Sequence, residues 1–406
     1  MDAKTEDFAY VFILERGILI IEPMPKRIKV MRIIARMNVG GPAVQITGLM
    51  KSINGIEFEQ RLYTGFCDVN ESDYLEEVAP EISVYRIKGL GRSINLLSDF
   101  RALAQLVHEI RRFKPDIIHT HTAKAGVLGR LASIISMRKS QRVHTFHGHL
   151  LYGYFGKTKT YLVIKVEKFL SKFTHVLLAV GTKVRDELIQ VGIGNETNFE
   201  LMPPGLAIKE LPEKKAAREK LGIKSEKLHG VFIGRVTQVK RPDRFLELVR
   251  EVTNRGIEID FLIAGDGNLL ETCKDQIDAE GLPVKLLGWQ TDIELVLAAS
   301  DIVILTSDNE GTPLSLIQAG MAGIPVLATG VGSVLDVVIS NVTGIVTTID
   351  VIEMADNLEK LVSNPNFREE LGINAIRFTK SNFGIDRLTR DHEVLYRKLI
   401  ANQANF

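Results

Sequence analysis

Short apolar runs alternate with longer amphipathic stretches along most of this chain. Apolar runs of about four to eight residues, closed by Gly, Pro or Asn, read as buried parallel strands, and the stretches between them as crossover helices. Strands are expected at 29–37, 57–63, 83–87, 115–121, 142–149 and 176–179. A second series follows at 230–233, 260–264, 285–287, 301–306, 325–328 and 344–347. Helices are expected after Gly41 to about 52, at 95–113 and 152–173, from Pro242 onward, after Pro313, and at 386–402. Such alternation gives an α/β fold of two doubly wound Rossmann-like domains in tandem, their binding edges facing across a cleft.

The Leu201-Met202-Pro203-Pro204-Gly205 break, followed by the charged run from Lys209 to Lys220, marks the boundary between them. The expected division is an extension over 1–27, a first domain over 28–205, a second over 206–384 and a final helix over 385–406. Residues 8–21 are rich in apolar side chains, but Glu15 and Arg16 interrupt them and Asp2 and Glu6 precede them. That stretch is too short and too charged for a membrane span and lacks a signal peptide's basic start. It reads either as an extra packed segment or as sequence upstream of a natural start at Met24 or Met31.

Composition adds limits rather than a function. The chain has 406 residues, 45% hydrophobic and 25% charged, as in an ordinary soluble globular protein. A net charge of +1 gives no global field that would favour nucleic acid. Cys67 and Cys273 lie far apart and match no metal spacing, which points to a reducing compartment and a cytoplasmic protein.

Ligands of open α/β sheets bind at the C-terminal ends of the strands, so the residues there carry the candidate chemistry. In the second half, Glu310 lies between the strand at 301–306 and the helix after Pro313, with Thr312 expected to cap that helix and Gly323 to end it. The amides of Gly311 and Leu314 favour an anion, and Gln318 leans back toward Glu310. Arg235 and Lys240 follow the strand at 230–233 and suit a diphosphate. Gly265-Asp266-Gly267 leaves space for a base or ribose. Sugar, diphosphate and nucleoside together describe a nucleotide sugar. In the first half, Gly40-Gly41 reads as a tight turn or as a close approach to a ligand. His119, His121 and His147 end two successive strands, as core residues or as part of the same site, and Lys124 opens the helix after His121. The segment 152–173 interleaves Lys157, Lys159, Lys165, Lys168 and Lys172 with Tyr154, Phe155, Tyr161, Phe169 and Phe173. It is either an ordinary amphipathic helix or a contact for an anionic membrane.

These residues together resemble a GT-B-fold glycosyltransferase of the retaining group 1 type, glycosyltransferase family 4. The resemblance rests on Gly40-Gly41-Pro42-Ala43, the run from His119 through Lys124 and Gly126, and Thr145-Phe146-His147-Gly148-His149. In the second half it rests on Gly234-Arg235, Lys240-Arg241-Pro242, Gly265-Asp266-Gly267, Leu287-Gly288-Trp289 and the stretch from Glu310 to Gln318. It implies a hexose-type sugar, carried on a nucleotide diphosphate with UDP expected, passed to a glycan or lipid-linked acceptor, as in surface polysaccharide or glycoconjugate biosynthesis. It also implies a final helix that crosses back to the first domain, and no metal or other cofactor, the donor being a substrate. By position, Glu310 would hold the sugar, the Gly311-Thr312-Pro313-Leu314 backbone would contact sugar or phosphate, and Arg235 and Lys240 would bind the diphosphate. His147 would lie beside the reacting sugar, with Gly40, Gly41, Lys124, Leu287 and Gly288 among the substrate contacts. A lipid-linked acceptor would bring the protein to the inner face of the cytoplasmic membrane.

Two positions depart from the family pattern. Gln318 stands where the family has a second Glu after the seven-residue spacer, and Pro203-Pro204-Gly205-Leu206-Ala207 replaces an Asn-Gly-acidic linker. A glutamine keeps an acceptor oxygen for a ribose diol but loses the charge assistance. A nucleotide-sugar epimerase and a non-catalytic nucleotide-sugar-binding subunit are the alternative readings. A dinucleotide oxidoreductase is disfavoured, because no strand carries a full Gly-x-Gly-x-x-Gly pattern.

Overall fold

The computed structural model describes residues 10–15, 18–23, 26–69, 71–91, 93–148 and 157–404. Two antiparallel strands, β1 (Tyr10–Glu15) and β2 (Ile18–Pro23), form a separate hairpin. The apolar stretch at 8–21 thus supplies the first strand and part of the second. The first domain follows as β3 (Ile28–Ile34), β4 (Phe58–Thr64), β5 (Val84–Arg86), β6 (Ile117–His121), β7 (Gln141–Phe146), β8 (Val176–Ala179) and β9 (Phe199–Leu201). These make one parallel sheet in the order β5-β4-β3-β6-β7-β8-β9. The second domain runs β10 (Leu228–Ile233), β11 (Ile259–Ala264), β12 (Val284–Gly288), β13 (Ile302–Leu305), β14 (Val326–Thr329) and β15 (Ile345–Thr347). Its sheet is also parallel, ordered β12-β11-β10-β13-β14-β15. In each sheet the winding reverses beside the first strand, between β3 and β6 and between β10 and β13. The loops leaving those strands splay apart and open a crevice at the carboxyl edge.

Most expected strands appear with shifted ends. The first stops at Ile34 rather than 37, and Asn38 instead makes an isolated bridge to Asp73. The fifth stops at Phe146, so His147 and Gly148 lie in the loop beyond it. β9 was not expected, since three residues before Pro203 are too few to stand out as a run. The helix expected at 152–173 spans Lys157–Ser171, while His149, Tyr154 and Phe155 lie outside the described residues.

The closing helix, Ile385–Ala404, returns to the first domain. Leu388, Leu395, Tyr396 and Leu399 are buried in one apolar cluster with Val30, Leu49, Phe58, Ile117 and Val143. Under the same helix lies a polar row from β3 and β6. Arg32 is 0% exposed and His119 0%, with His121 beside them at 1%. The Tyr396 hydroxyl sits 2.7 Å from His119 Nδ1, and Arg32 lies over the Tyr396 ring at 5.6 Å. On the opposite face of the sheet, Arg130 grips Glu167 with two bonds of 2.7 and 2.8 Å between neighbouring crossover helices, both side chains 1% exposed.

Truncating Leu395 to alanine removes contacts that only the first domain supplies, so L395A should cost about 2–5 kcal/mol. Urea unfolding, followed by a first-domain probe, measures it. Acid should weaken the same region. Burial, reinforced by neighbouring cations and imidazoles, holds His119, His121, His144 and His392 below the usual histidine range, His392 at about 3. Folded, they stay neutral as pH falls; unfolded, they take up protons below about pH 6.5. The unfolded state then binds more protons, so stability drops as pH falls below about 6.5. Urea midpoints at pH 7 and pH 5 should differ accordingly, the lower one at pH 5.

Candidate active site

The carboxyl edge of the second sheet carries most of the polar groups. Where β10, β11 and β12 end, the loops pack backbone to backbone. The Gly234 amide donates to the Ala264 carbonyl at 3.1 Å, and the Gly265 amide to the Gly288 carbonyl at 2.8 Å. A Cβ on Gly265 would sit 1.8 Å from the Gly234 carbonyl oxygen, and one on Gly267 2.3 Å from that of Val236. No side chain fits there, so this edge offers a ligand bare peptide groups. Asp266 and Arg235 are exposed beside it, and among the described residues Arg235 makes no ion pair. The Leu287 carbonyl is taken by Gln290 Nε2 at 2.6 Å.

Lys240 closes a short 3-10 turn after β10, and Glu310 lies in the loop after β13, across the switch point. They meet: Lys240 Nζ donates to Glu310 Oε1 at 2.5 Å, and Ser307 Oγ donates to the same oxygen at 2.6 Å. Both bonds fall on Oε1, so Oε2 remains for a ligand, and the ammonium keeps two further donors. Glu310 is 8% exposed, which makes this pair a largely desolvated one. Its backbone is fixed as well. The Ser333 amide donates to the Glu310 carbonyl at 3.2 Å, and a Cβ on Gly332, where φ is +55°, would lie 1.9 Å from that oxygen. Around the pair, Arg241 and Arg244 both bind Asp308, and Thr306 Oγ1 donates to the Lys240 and Arg241 carbonyls at 3.1 and 2.9 Å. Ser307 and Arg244 were not singled out from sequence, and Asp308 only as the first residue of the Glu310 stretch. An Arg two residues inside a helix and a Ser-Asp pair after a strand carry no mark of the ion pair they surround.

Thr312 does not cap its helix. That helix is Leu314–Met321 with Pro313 before it and no side-chain cap, because the Thr312 hydroxyl reaches across the cleft to the Val180 carbonyl at 2.7 Å. Pro313, with an extended backbone, precedes the first turn. Gln318 is half-buried on the same helix, and Gly323, with φ +73°, follows its end.

The first domain faces this loop closely. A Cβ on Gly311 would lie 2.8 Å from the His147 carbonyl oxygen, and one on Gly41 3.5 Å from Leu314 Cδ1. Gly41 opens the helix Gly41–Ser52 after Gly40, so the first sheet's switch point meets the second's. His147 is partly exposed at the junction, and the dense packing of its ring lowers its pKa to about 4, leaving a neutral imidazole at neutral pH. Its Nε2 is 3.0 Å from His121 Nδ1. Lys124 is committed elsewhere: its ammonium pairs with Asp99 at 2.6 Å and donates to the Gly89 and Ser93 carbonyls. The structure thus brings Gly40, Gly41, His147, Lys240, Glu310, Gly311 and Leu314 to one junction and ties the Lys124 amine to a neighbouring loop. A carboxylate oxygen, an ammonium, bare amides and a neutral imidazole around one crevice suit a ligand that is both polyhydroxylated and anionic.

Residues 39–209 match the family model described as Glycosyltransferase Family 4, and residues 213–378 match that of Glycosyl transferases group 1. Among curated proteins, an Escherichia coli UDP-Gal:alpha-D-GlcNAc-diphosphoundecaprenol alpha-1,3-galactosyltransferase is 28% identical over 269 residues, covering 64% of this chain and 68% of its own. The capsular polysaccharide biosynthesis glycosyltransferase CapM of Staphylococcus aureus is 23% identical, over 76% of this chain and 83% of its own. Among solved structures, Anabaena Alr3699/HepE in complex with UDP and glucose superposes with a TM-score of 0.77 at 20% identity, over 92% of this chain and all of the other. The two sheets, the crossing helix and the paired carboxyl edges are the GT-B architecture, and the chain belongs to the glycosyltransferases of family 4, group 1.

Proposed function

We propose that this enzyme transfers a hexose-type sugar, with retention of configuration, from a UDP-sugar to a glycan or lipid-linked acceptor in the making of a surface polysaccharide or glycoconjugate. The observation that carries the reading is the desolvated Lys240–Glu310 pair, opposite His147 at the junction of two switch points. Glu310 Oε2 would accept from sugar hydroxyls while Lys240 and Arg235 bind the diphosphate. A leaving diphosphate gains negative charge in the transition state, and fixed cations in a closed crevice stabilise that charge more than they stabilise bound donor. They would do so without a metal, and the leaving phosphate would take the acceptor's proton during same-face attack, so no protein nucleophile is assigned. UDP as carrier is supported by the E. coli relative, named for UDP-Gal, and by the Anabaena structure with UDP.

E310A should abolish transfer and, by leaving Lys240 uncompensated, lower the thermal midpoint of the unliganded protein while unfolding stays cooperative, and unchanged turnover would sink the assignment. UDP should raise the midpoint more than other nucleoside diphosphates, since a ligand bound only by the native state shifts it. Excess EDTA should leave turnover intact. Tight UDP binding with no turnover on any acceptor would instead favour the binding-subunit reading that Gln318 suggests, and product formed without acceptor would favour the epimerase.

We also propose that the enzyme works at an anionic membrane surface. On the helix Lys157–Ser171 and just beyond it, Tyr161, Lys165, Lys168, Phe169, Lys172 and Phe173 are all exposed along one stripe. The helix's acid, Glu167, points inward to Arg130, so this outer stripe bears no negative charge. Among the described residues no helix is long and apolar enough to cross a membrane. Each lysine near such a surface contributes about 1 kcal/mol. Flotation with phosphatidylglycerol vesicles at low salt should recover the protein and lose the variant K165E/K168E/K172E; no flotation of the wild type refutes the contact.

A further inference from the structure

We propose that His121, held in turn by Arg32 and His119, is a positioning residue that fixes the proton of His147 on Nδ1, so that His147 meets a ligand in the cleft as a hydrogen-bond donor. The proton positions follow from the partners. Arg32 is fully buried, and among the described residues no carboxylate pairs with it. Its Nε donates to Gln60 Oε1 at 3.0 Å and its Nη1 reaches His119 Nδ1 at 3.3 Å. A guanidinium has donors and no acceptor, so His119 Nδ1 carries no proton. The Tyr396 hydroxyl then donates to that nitrogen, and His119 Nε2–H donates to Thr145 Oγ1 at 2.7 Å. With one tautomer set, the His119 ring stacks on His121, centroids 4.2 Å apart and 27° between planes.

His121 has one partnered nitrogen and one without. Nδ1 faces His147 Nε2 at 3.0 Å, and Nε2 is buried with no hydrogen-bond partner. A buried N–H left unpaired costs more than a buried lone pair, so the His121 proton belongs on Nδ1, where an acceptor exists. His147 Nε2 is that acceptor and cannot hold a proton of its own. The single proton of a neutral His147 ring therefore lies on Nδ1, the nitrogen left for the cleft. Charging His147 would set its Nε2–H against the His121 Nδ1–H, and charging His121 would add an unpaired buried N–H close to His144, His392 and the Arg32 cation; burial lowers the pKa of both rings, and those neighbours add to it for His121. His147 in this form is no base toward the cleft. It gives a hydrogen bond to an oxygen there, and only the identity of that oxygen rests on the sugar-donor reading above.

The test is imidazole nitrogen-15 NMR on the full chain at neutral pH without donor, with the His147 signals assigned by their loss in His147→Gln. Wild-type His147 should show a protonated Nδ1 and a bare Nε2. In His121→Phe the acceptor role of Nε2 disappears, and the His147 proton should redistribute toward Nε2. A wild-type spectrum with Nε2 protonated would overturn the proposal, as would a His147 pattern unchanged in a folded His121→Phe. The wild-type measurement decides even if that variant fails to fold. Because no turnover is read, the result stands apart from the transferase assignment: E310A can fail while the tautomer holds, and the reverse.

Discussion

The burial of the helix Ile385–Ala404 against the first domain is the constraint on which the rest of the arrangement depends. Its residues follow the second domain in sequence, yet Leu388, Leu395, Tyr396 and Leu399 complete the first domain's core. The first domain therefore does not close its apolar surface without chain from the other half. The same helix seals the polar row of Arg32, His119 and His121, where a lone buried cation is tolerated because neutral acceptors and an aromatic face surround it. Packing energy that could have gone to a uniformly apolar interior is spent on orienting groups that lead to the cleft.

Opposite that row, the second domain holds its charges by mutual neutralisation. Lys240 and Glu310, Arg241 and Asp308, and Arg244 and Asp308 tie the loops after β10 and β13 together. Losing one member of such a pair leaves its partner charged in a poorly solvated place, whereas the intact set costs little. The exposed Arg235 stands outside this lacing. A ligand phosphate would meet one free guanidinium and one ammonium already compensated, so the site can stay compact without its ligand.

The architecture was legible in the sequence because parallel strands buried on both faces leave short continuous apolar runs, such as Val176–Ala179 and Ile302–Leu305, that alternate with longer amphipathic stretches. The Glu310 loop stood out through its company, since a carboxylate before a helix reads equally well as a solvated residue until Arg235, Lys240 and Gly265-Asp266-Gly267 are found at neighbouring strand ends. Pairing was not legible. That Lys240 would meet Glu310, or that Lys124 would turn to Asp99, depends on which loop tips share an edge, and sequence spacing carries no such distance. Thr312 shows the same limit: local preference made it a cap, and a carbonyl from the other domain took its hydroxyl. β9 and the inward turn of Tyr396 likewise depend on neighbours far along the chain.

The two places where the chain passes between domains are bonded side by side. The Leu206 amide donates to the Phe383 carbonyl at 2.9 Å, the Ile385 amide to the Leu206 carbonyl at 3.0 Å, and Arg387 reaches the Pro203 and Pro204 carbonyls at 2.8 Å each. Joined this way, the crossings act as one ribbon rather than two independent tethers. Sliding or twisting of the domains would have to tear it, whereas rotation about it strains only a few torsions. A jaw-like swing on that ribbon is the motion these bonds oppose least. Such a swing would have to break the polar bonds that cross the cleft, from Thr312 to the Val180 carbonyl and from Thr182 to Asp336, so those contacts would act as a latch.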